Sequence, residues 1–392
     1  MTLVRSDPQL YALTLQEHFA AADLALIRRK QQAILRDILP AYRRMRECGQ
    51  IELSTSPYYH PVLPLLIDNY RATQESRPDA WLPAINYRHP EDAVEQIRRA
   101  RASHREFFGE NPAGLWPSEG SVSQSIVYPV AQAGFRWIAS DEEVLNRSRG
   151  WSSRSADGNV WDPASLYTAY TARDEDYELA AVFRDRSLSD EIGFKYQNWQ
   201  PHDAAADLVQ RLHGIRDALG DARGEHIVPL ILDGENCWEF YDNNGQDFLV
   251  SLFEQLSDDG TLRCVTISEY LDEHPPVRTL DRLAAGSWIG GTFDVWIGEL
   301  AQNIAWDYLA RTRDALVRWE TECEGADLGI LERAWEEIYI AEGSDWFWWY
   351  FSGNDPKLER GFDHQFRQHL MNIYTLMGSP VPEYLLGPIL WQ

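Results

Sequence analysis

Apolar positions along the chain alternate between two spacings. Leu24, Leu26, Ile27, Ile34, Leu35, Ile38 and Leu39 recur at helical intervals with Arg and Lys between them, which predicts one long helix over 15–49, kinked or restarted at Pro40. Further helices are expected over 91–109, 121–134 (ending at Gly134), 202–220 and 249–260. Between them stand short apolar runs that end in polar groups. QIELSTSPYYHPVLPLL (50–66) reads as a short strand, a polar turn and a Pro-rich segment, and GLWPSEGSVSQ (114–124) as a strand end carrying a glutamate. FRWIASDEEVL (135–145), LAAVFRDRSLSDEIGF (179–194), VPLILDGENCWEF (228–240) and RCVTISEYL (263–271) read as further strands. This alternation predicts an α/β barrel or an open parallel sheet, folds whose active sites lie at the carboxyl ends of the strands. Beyond about residue 290 the texture turns helical, over 293–320, 326–343 and 362–378, after the punctuation DEHPPVRTL (272–280). The expected organisation is an α/β barrel over 1–285 followed by a helical bundle over 286–392. No fixed-period repeat is visible, which argues against a solenoid.

Charge and composition narrow the partners. A formal net charge of -25 over 392 residues makes nucleic acid or an anionic membrane a poor partner. No apolar run is long enough to span a bilayer, and MTLVRSDPQLYALTLQEHF lacks the basic-then-apolar order of a signal peptide. Cys48, Cys237, Cys264 and Cys323 are far apart and form no CxxC, so a reduced, cytoplasmic protein without structural zinc is expected. The 16 tryptophans fit either of two uses, a Trp-rich core or flat platforms for sugar rings. The second use follows from the negative face of an indole and the weakly positive C–H face of a pyranose.

Acids end four of the apolar runs: Glu52, Glu119, Asp141 with Glu142, and Asp233 with Glu235. Any one could simply cap the next helix, whose dipole favours a carboxylate at its N-terminus. Several on one face repel each other, and a fold tolerates that mainly where function requires it. Two facing carboxylates suit cleavage of a glycosidic bond: one attacks or supports the anomeric carbon, the other protonates the leaving oxygen. Glu235 is expected to bind a sugar hydroxyl or to tune Asp233, and Arg184 with Asp185 to form a bidentate pair that positions the acids. Other chemistries find no motif. GxSxG, the Walker loop and GxGxxG are absent. DNNGQD (242–247) fails as a calcium loop, because Phe240 would hold the first ligand position. His364 and His369 are five apart, which does not make a helical zinc pair. No metal or cofactor is expected.

With these residues in view, the chain resembles glycoside hydrolase family 57, retaining α-glucan-active enzymes with an incomplete seven-stranded barrel and a helical bundle. GQIELSTSPYYHPVLPLL (49–66), GLWPSEGSVS (114–123), LILDGENCWEFY (230–241) and AEGSDWFWWY (341–350) resemble four of that family's five sequence regions. FRDRSLSDEIGFKY (183–196) and SWIGGTFDVWIGELAQNIAWDYL (287–309) also have the family's look. The resemblance implies that Glu119 is the nucleophile and Asp233 the general acid/base. It implies substrate contacts for Glu52, His60, Trp116, Glu235, Trp288, Asp345 and Trp348. The family's first region, a strand ending in His-Gln-Pro, has no counterpart here, so the expected fold is an incomplete (β/α)7-type barrel lacking its first strand. The implied function is a retaining glycosidase or transglycosylase of amylase or glucanotransferase type. A truncated or non-catalytic carbohydrate-binding relative is the alternative. A metal-dependent carbohydrate deacetylase would need an Asp and two His, and His60 is the only well-placed histidine. Neither linkage specificity nor oligomeric state is readable from the chain.

Overall fold

Helix ends follow the local chemistry closely. The computed structural model describes residues 7–234, 237–323, 327–354 and 356–389. The long helix spans Ala21–Glu47 (α1) and runs through Pro40, where a kink or restart is expected. Residues 31–40 are all exposed, so the carbonyl deprived of a donor at Pro40 is left to water. Leu63–Ser76 (α2) has Pro64 in its first turn, which turns the expected Pro-rich segment into a helix start. Pro90–Phe108 (α3) opens with Pro90, Glu91 and Asp92 and closes on left-handed Gly109. Of the helix expected over 121–134, only Val127–Gln132 is α-helical, behind a 3-10 turn at Gln124–Ile126. Glu142–Arg149 (α4) is capped by Asp141, whose carboxylate accepts from the Glu143 N–H at 2.9 Å, and it ends at left-handed Gly150. Pro201–Leu219 (α5) and Gln246–Asp258 (α6) fall where the apolar spacing puts them.

The fold is mixed α/β around one five-stranded sheet. Its strands are Gly114–Leu115 (β1), Trp137–Asp141 (β2), Tyr170–Asp174 (β3), Tyr177–Arg184 (β4) and Arg278–Leu280 (β5), in the order β1-β2-β4-β3-β5. β2 is parallel to β1 and β4, with Asp141 opposite Arg184, so two polar strand ends stand side by side as expected. β3 is antiparallel to β4, which corrects the all-parallel expectation. The loop between them holds only Glu175 and Asp176, and a two-residue loop joins only antiparallel strands.

Three expected strands do not join the ladder. Near residue 50 the chain makes a single bridge, Thr55 to Leu115. Residues 228–232 run beside the end of β4, where the Asp185 N–H donates to Pro229 O at 2.9 Å and the Ile231 N–H to Ser189 Oγ at 3.2 Å. Residues 263–266 are extended, and the chain then turns helical over Ile267–Glu273 (α7). The cause is a capping box: Thr266 accepts from the Glu269 N–H while Glu269 reaches back to the Thr266 N–H.

The C-terminal part is helical, as its texture predicts: Leu300–Glu322 (α8), Leu328–Ala341 (α9), Ser344–Trp349 (α10) and Pro356–Leu376 (α11). One apolar cluster reaches from Val62 to Ile389 and joins Leu115, Ile138 and Phe183 of the sheet to Trp296, Trp306 and Phe347. The Trp306 and Phe347 rings stack at 4.0 Å. Several tryptophans therefore serve the core: Trp137, Trp296 and Trp306 are buried, each contributing about 2–3 kcal/mol by burial, whereas Trp81, Trp151 and Trp161 are exposed.

Candidate active site

Glu119 sits in a tight turn directly after β1. Its backbone is left-handed (φ 60°, ψ 25°), an unusual state for a residue with a Cβ. The turn buries Ser118 and Gly120 and leaves the Glu119 side chain 23% exposed. Ser140 Oγ of β2 donates to Gly120 O at 2.7 Å and ties the turn to the sheet. A Cβ at Gly120 would stand 2.9 Å from the Trp116 ring, and left-handed φ is costly there for other residues. Ser118 Oγ and Ser121 Oγ, on either side, are buried without a protein partner, as groups that bond water or ligand are.

Trp288 and His60 both approach the carboxylate. The Trp288 indole donates from Nε1 to Glu119 Oε2 at 2.8 Å, and the Trp288 backbone N–H donates to Glu119 O at 3.1 Å. Trp116 meets Trp288 edge-on, centroids 5.3 Å apart. His60, itself left-handed (φ 58°), places Nδ1 4.0 Å from Glu119 Oε1 and 2.9 Å from Ser344 Oγ. The structure thus brings His60, Trp116, Glu119 and Trp288 together.

The neighbouring strand ends behave differently. Asp141 is fully buried, and Arg184 Nη1 lies 3.1 Å from its Oδ2. Loss of solvent outweighs that ion pair and pushes the Asp141 carboxyl up to about 7. Glu142 receives a two-pronged grip from Arg154 at 2.6 and 2.8 Å, and Arg154 also reaches Asp185 at 2.8 Å. The Tyr167 hydroxyl donates to Asp185 at 2.6 Å. Arg184 and Asp185 do not form the expected pair: Arg184 goes to Asp141 and Asp190, Asp185 to Arg154 and Tyr167. Successive residues leaving a strand point to opposite faces, so they cannot grip one another. The Arg184 guanidinium lies 5.2 Å from the Trp288 ring and links this cluster to Glu119.

The other expected site residues have the following surroundings. Glu52 accepts from Trp137 Nε1 at 3.1 Å, from the Ser268 N–H at 3.1 Å and from Ser268 Oγ. Its carboxylate sits at the N-terminus of α7 and joins that helix to β2, a scaffold contact rather than a contact with Glu119. Asp345 is exposed in the first turn of α10. Trp348 is half-buried, its ring 6.3 Å from that of Trp296, against the core. Asp233 is half-buried at the end of the 228–232 segment, and its carbonyl accepts from Cys237 Sγ at 3.9 Å. Glu235 lies outside the described residues. A cleft of about 640 Å³ beside residues 226–231 is lined largely by Leu212, Ile215, Leu230, Ile231, Leu262 and Val265 and contains neither Glu119 nor His60. Sequence reasoning missed Ser344, Arg154 and Asp190, each of which acts by long-range or loop contacts.

The Glu119 turn thus presents one carboxylate to an indole donor and an imidazole at the end of a strand in a mixed α/β fold. The chain belongs to glycosyl hydrolase family 57, whose model matches residues 12–282. A curated relative, alpha-amylase 1 of Dictyoglomus thermophilum, is 26% identical over 98 residues, which span 25% of this chain and 11% of that protein. The fold is similar to that of a family 57 branching enzyme from Thermococcus kodakaraensis, crystallised with glucose: TM-score 0.71, 17% identity, 95% of this chain and 75% of that one. It is also similar to the alpha-amylase AmyC of Thermotoga maritima, with TM-score 0.63, 16% identity, 98% of this chain and 80% of that one.

Proposed function

We propose that this chain is a retaining glycoside hydrolase or transglycosylase acting on α-glucan, of amylase or glucanotransferase type. Glu119 is the nucleophile and Asp233 the general acid/base. The observation that carries the reading is the Glu119 turn, which holds a carboxylate at a strand end with one oxygen fixed by an indole N–H and the other toward an imidazole. Oε2 accepts from Trp288, and Oε1 is read as the attacking oxygen. In the first step Oε1 bonds to the anomeric carbon as the glycosidic C–O bond breaks, and the Asp233 carboxyl protonates the departing oxygen. In the second, water or an acceptor hydroxyl gives its proton to Asp233 and displaces Glu119 from the sugar, restoring the anomeric configuration. Trp116 and Trp288 are the stacking faces nearest this carboxylate. The sheet is read as part of an incomplete (β/α)7-type barrel, and a cytoplasmic location fits the cysteine usage.

Supporting the substrate class are family membership, the amylase relative and the glucose-bound structural neighbour. The test is incubation with a slow fluorinated maltosyl donor, then peptide mass spectrometry. A glycosyl adduct on Glu119, with maltooligosaccharide turnover lost in Glu119→Ala, is expected. An adduct elsewhere, or full turnover in the variant, refutes the assignment.

A further inference from the structure

Contacts from the C-terminal helical part converge on the turn that carries His60. The Ser344 N–H donates to His60 O at 3.1 Å, and Ser344 Oγ lies 2.9 Å from His60 Nδ1. Ser344 is buried, so this double contact is screened from competing water. One residue earlier, the Tyr59 N–H donates to Gln96 Oε1 at 3.0 Å, and the Tyr58 N–H to Gln96 O at 3.3 Å. The same fully buried Gln96 sends Nε2 to Tyr339 O at 3.0 Å and to Glu342 Oε2 at 2.9 Å. Its amide therefore bridges the residues just before His60 to the residues just before Ser344. Gly343 completes the junction, because a Cβ there would stand 2.9 Å from Tyr59 O. Two turns far apart in sequence meet backbone to backbone, and at their junction a histidine is held in left-handed geometry beside Glu119.

We propose that Ser344, seated by Gln96, is a positioning residue for the reaction assigned to Glu119. It engages His60 Nδ1 and so keeps the imidazole from taking Glu119 Oε1 as its partner. The geometry sets the competition. Nδ1 is at bonding distance from Ser344 Oγ, and at 4.0 Å it is outside hydrogen-bond reach of Oε1. A small swing of the ring, with the serine hydroxyl gone, puts Nδ1 on Oε1. That oxygen is the one read as attacking, Oε2 accepting from the Trp288 indole. A hydrogen bond from imidazole to the attacking oxygen lowers its nucleophilicity and fills the space the anomeric carbon needs. The segment Glu342–Ser344 thereby forms one wall of the site, although the family-model match ends at residue 282. This inference rests on Glu119 being the nucleophile.

The test combines a double-mutant cycle with a spectroscopic readout. Ser344→Ala is expected to lower kcat on a maltooligosaccharide about tenfold with KM within about twofold, a split that marks a loss confined to the transition state. Ser344→Thr, which keeps the hydroxyl, restores kcat. In a His60→Asn background, Ser344→Ala adds no further loss. Imidazole ¹⁵N spectra, which need no turnover, show the His60 Nδ1 signal moving in Ser344→Ala to that of a nitrogen bonded to carboxylate, and Glu119→Gln reverses the move. Equal losses from Ser344→Ala in both backgrounds, or an unmoved His60 signal, overturn the proposal. Glu119→Ala separates the two readings: full turnover in that variant sinks the nucleophile assignment, whereas lost turnover there with a silent Ser344→Ala sinks only this one.

Discussion

Two sets of carboxylates stand at neighbouring strand ends, and they have opposite surroundings. Asp141, Glu142 and Asp185 are buried and gripped by Arg184 and Arg154. Glu119 meets an indole N–H and faces an imidazole, and part of its side chain stays in contact with solvent. A guanidinium neutralises an acid and fixes it, which serves packing. An indole donor fixes one oxygen without neutralising the group, which suits the nucleophile role proposed for Glu119. The same residue type at the same kind of position thus becomes scaffold or chemistry according to its donor.

The sharpest way to break this contrast is at Glu119 itself. Glu119→Gln keeps the turn and the indole contact but removes the proposed nucleophile, and kcat should fall by roughly 10³-fold or more with the thermal midpoint little changed. A variant that instead unfolds would move Glu119 into the scaffold group. On the other side, Arg154→Met leaves Glu142 and Asp185 buried without their cation. Breaking a buried pair in this way costs about 3–5 kcal/mol, read as a lower urea midpoint. An unchanged midpoint would show that the arginine only decorates the cluster.

Asp141 gives the contrast a pH dependence. Its folded pKa of about 7 lies above the ordinary carboxyl value of about 4, so between those limits the native state holds a proton that the unfolded chain has released. Stability from this group therefore falls as pH rises from about 4 to 7. Asp141→Asn should remove that fall, on the order of 4 kcal/mol at most, when urea midpoints at pH 5 and pH 8 are compared with those of the parent. Equal pH slopes in both proteins would mean that Arg184 compensates the burial fully. The smallest effect is expected at Trp288. Trp288→Phe keeps a ring for Trp116 but deletes the donor to Oε2, and kcat should drop about 10²-fold without loss of stability.

The helices were the most legible part of the chain, because their ends carry local signals. Pro90 with Glu91 and Asp92, and Gly109 at the other end, act within a few residues of where they stand; the helix over Glu142–Arg149 was hidden inside a run read as strand. The Thr266–Glu269 box was equally visible, yet an apolar run at 263–267 outweighed it in the reading and made a strand of α7. β3 was hidden for a different reason. Its hairpin turns on Glu175 at φ 51°, without the glycine or asparagine that usually marks such a turn. In the candidate site, His60, Trp116, Glu119 and Trp288 stand together in the fold, two of them on left-handed turns of their own. Glu52 did not join them. Its neighbours Trp137 and Ser268 come from distant segments, and nothing in its own stretch announces them. Ser344 and Gln96 were unreadable on the same ground: their meaning exists only once Tyr59 and His60 are folded against them.

That junction also fixes when the site can exist. A chain emerges from the ribosome N-terminus first, and domains generally begin to fold in that order. Glu119 and its turn can be in place early. Ser344 follows His60 by 284 residues, so the clamp on the imidazole closes only after that intervening stretch has been made. The nascent chain carries the Glu119 turn long before the contact that holds His60 beside it can form.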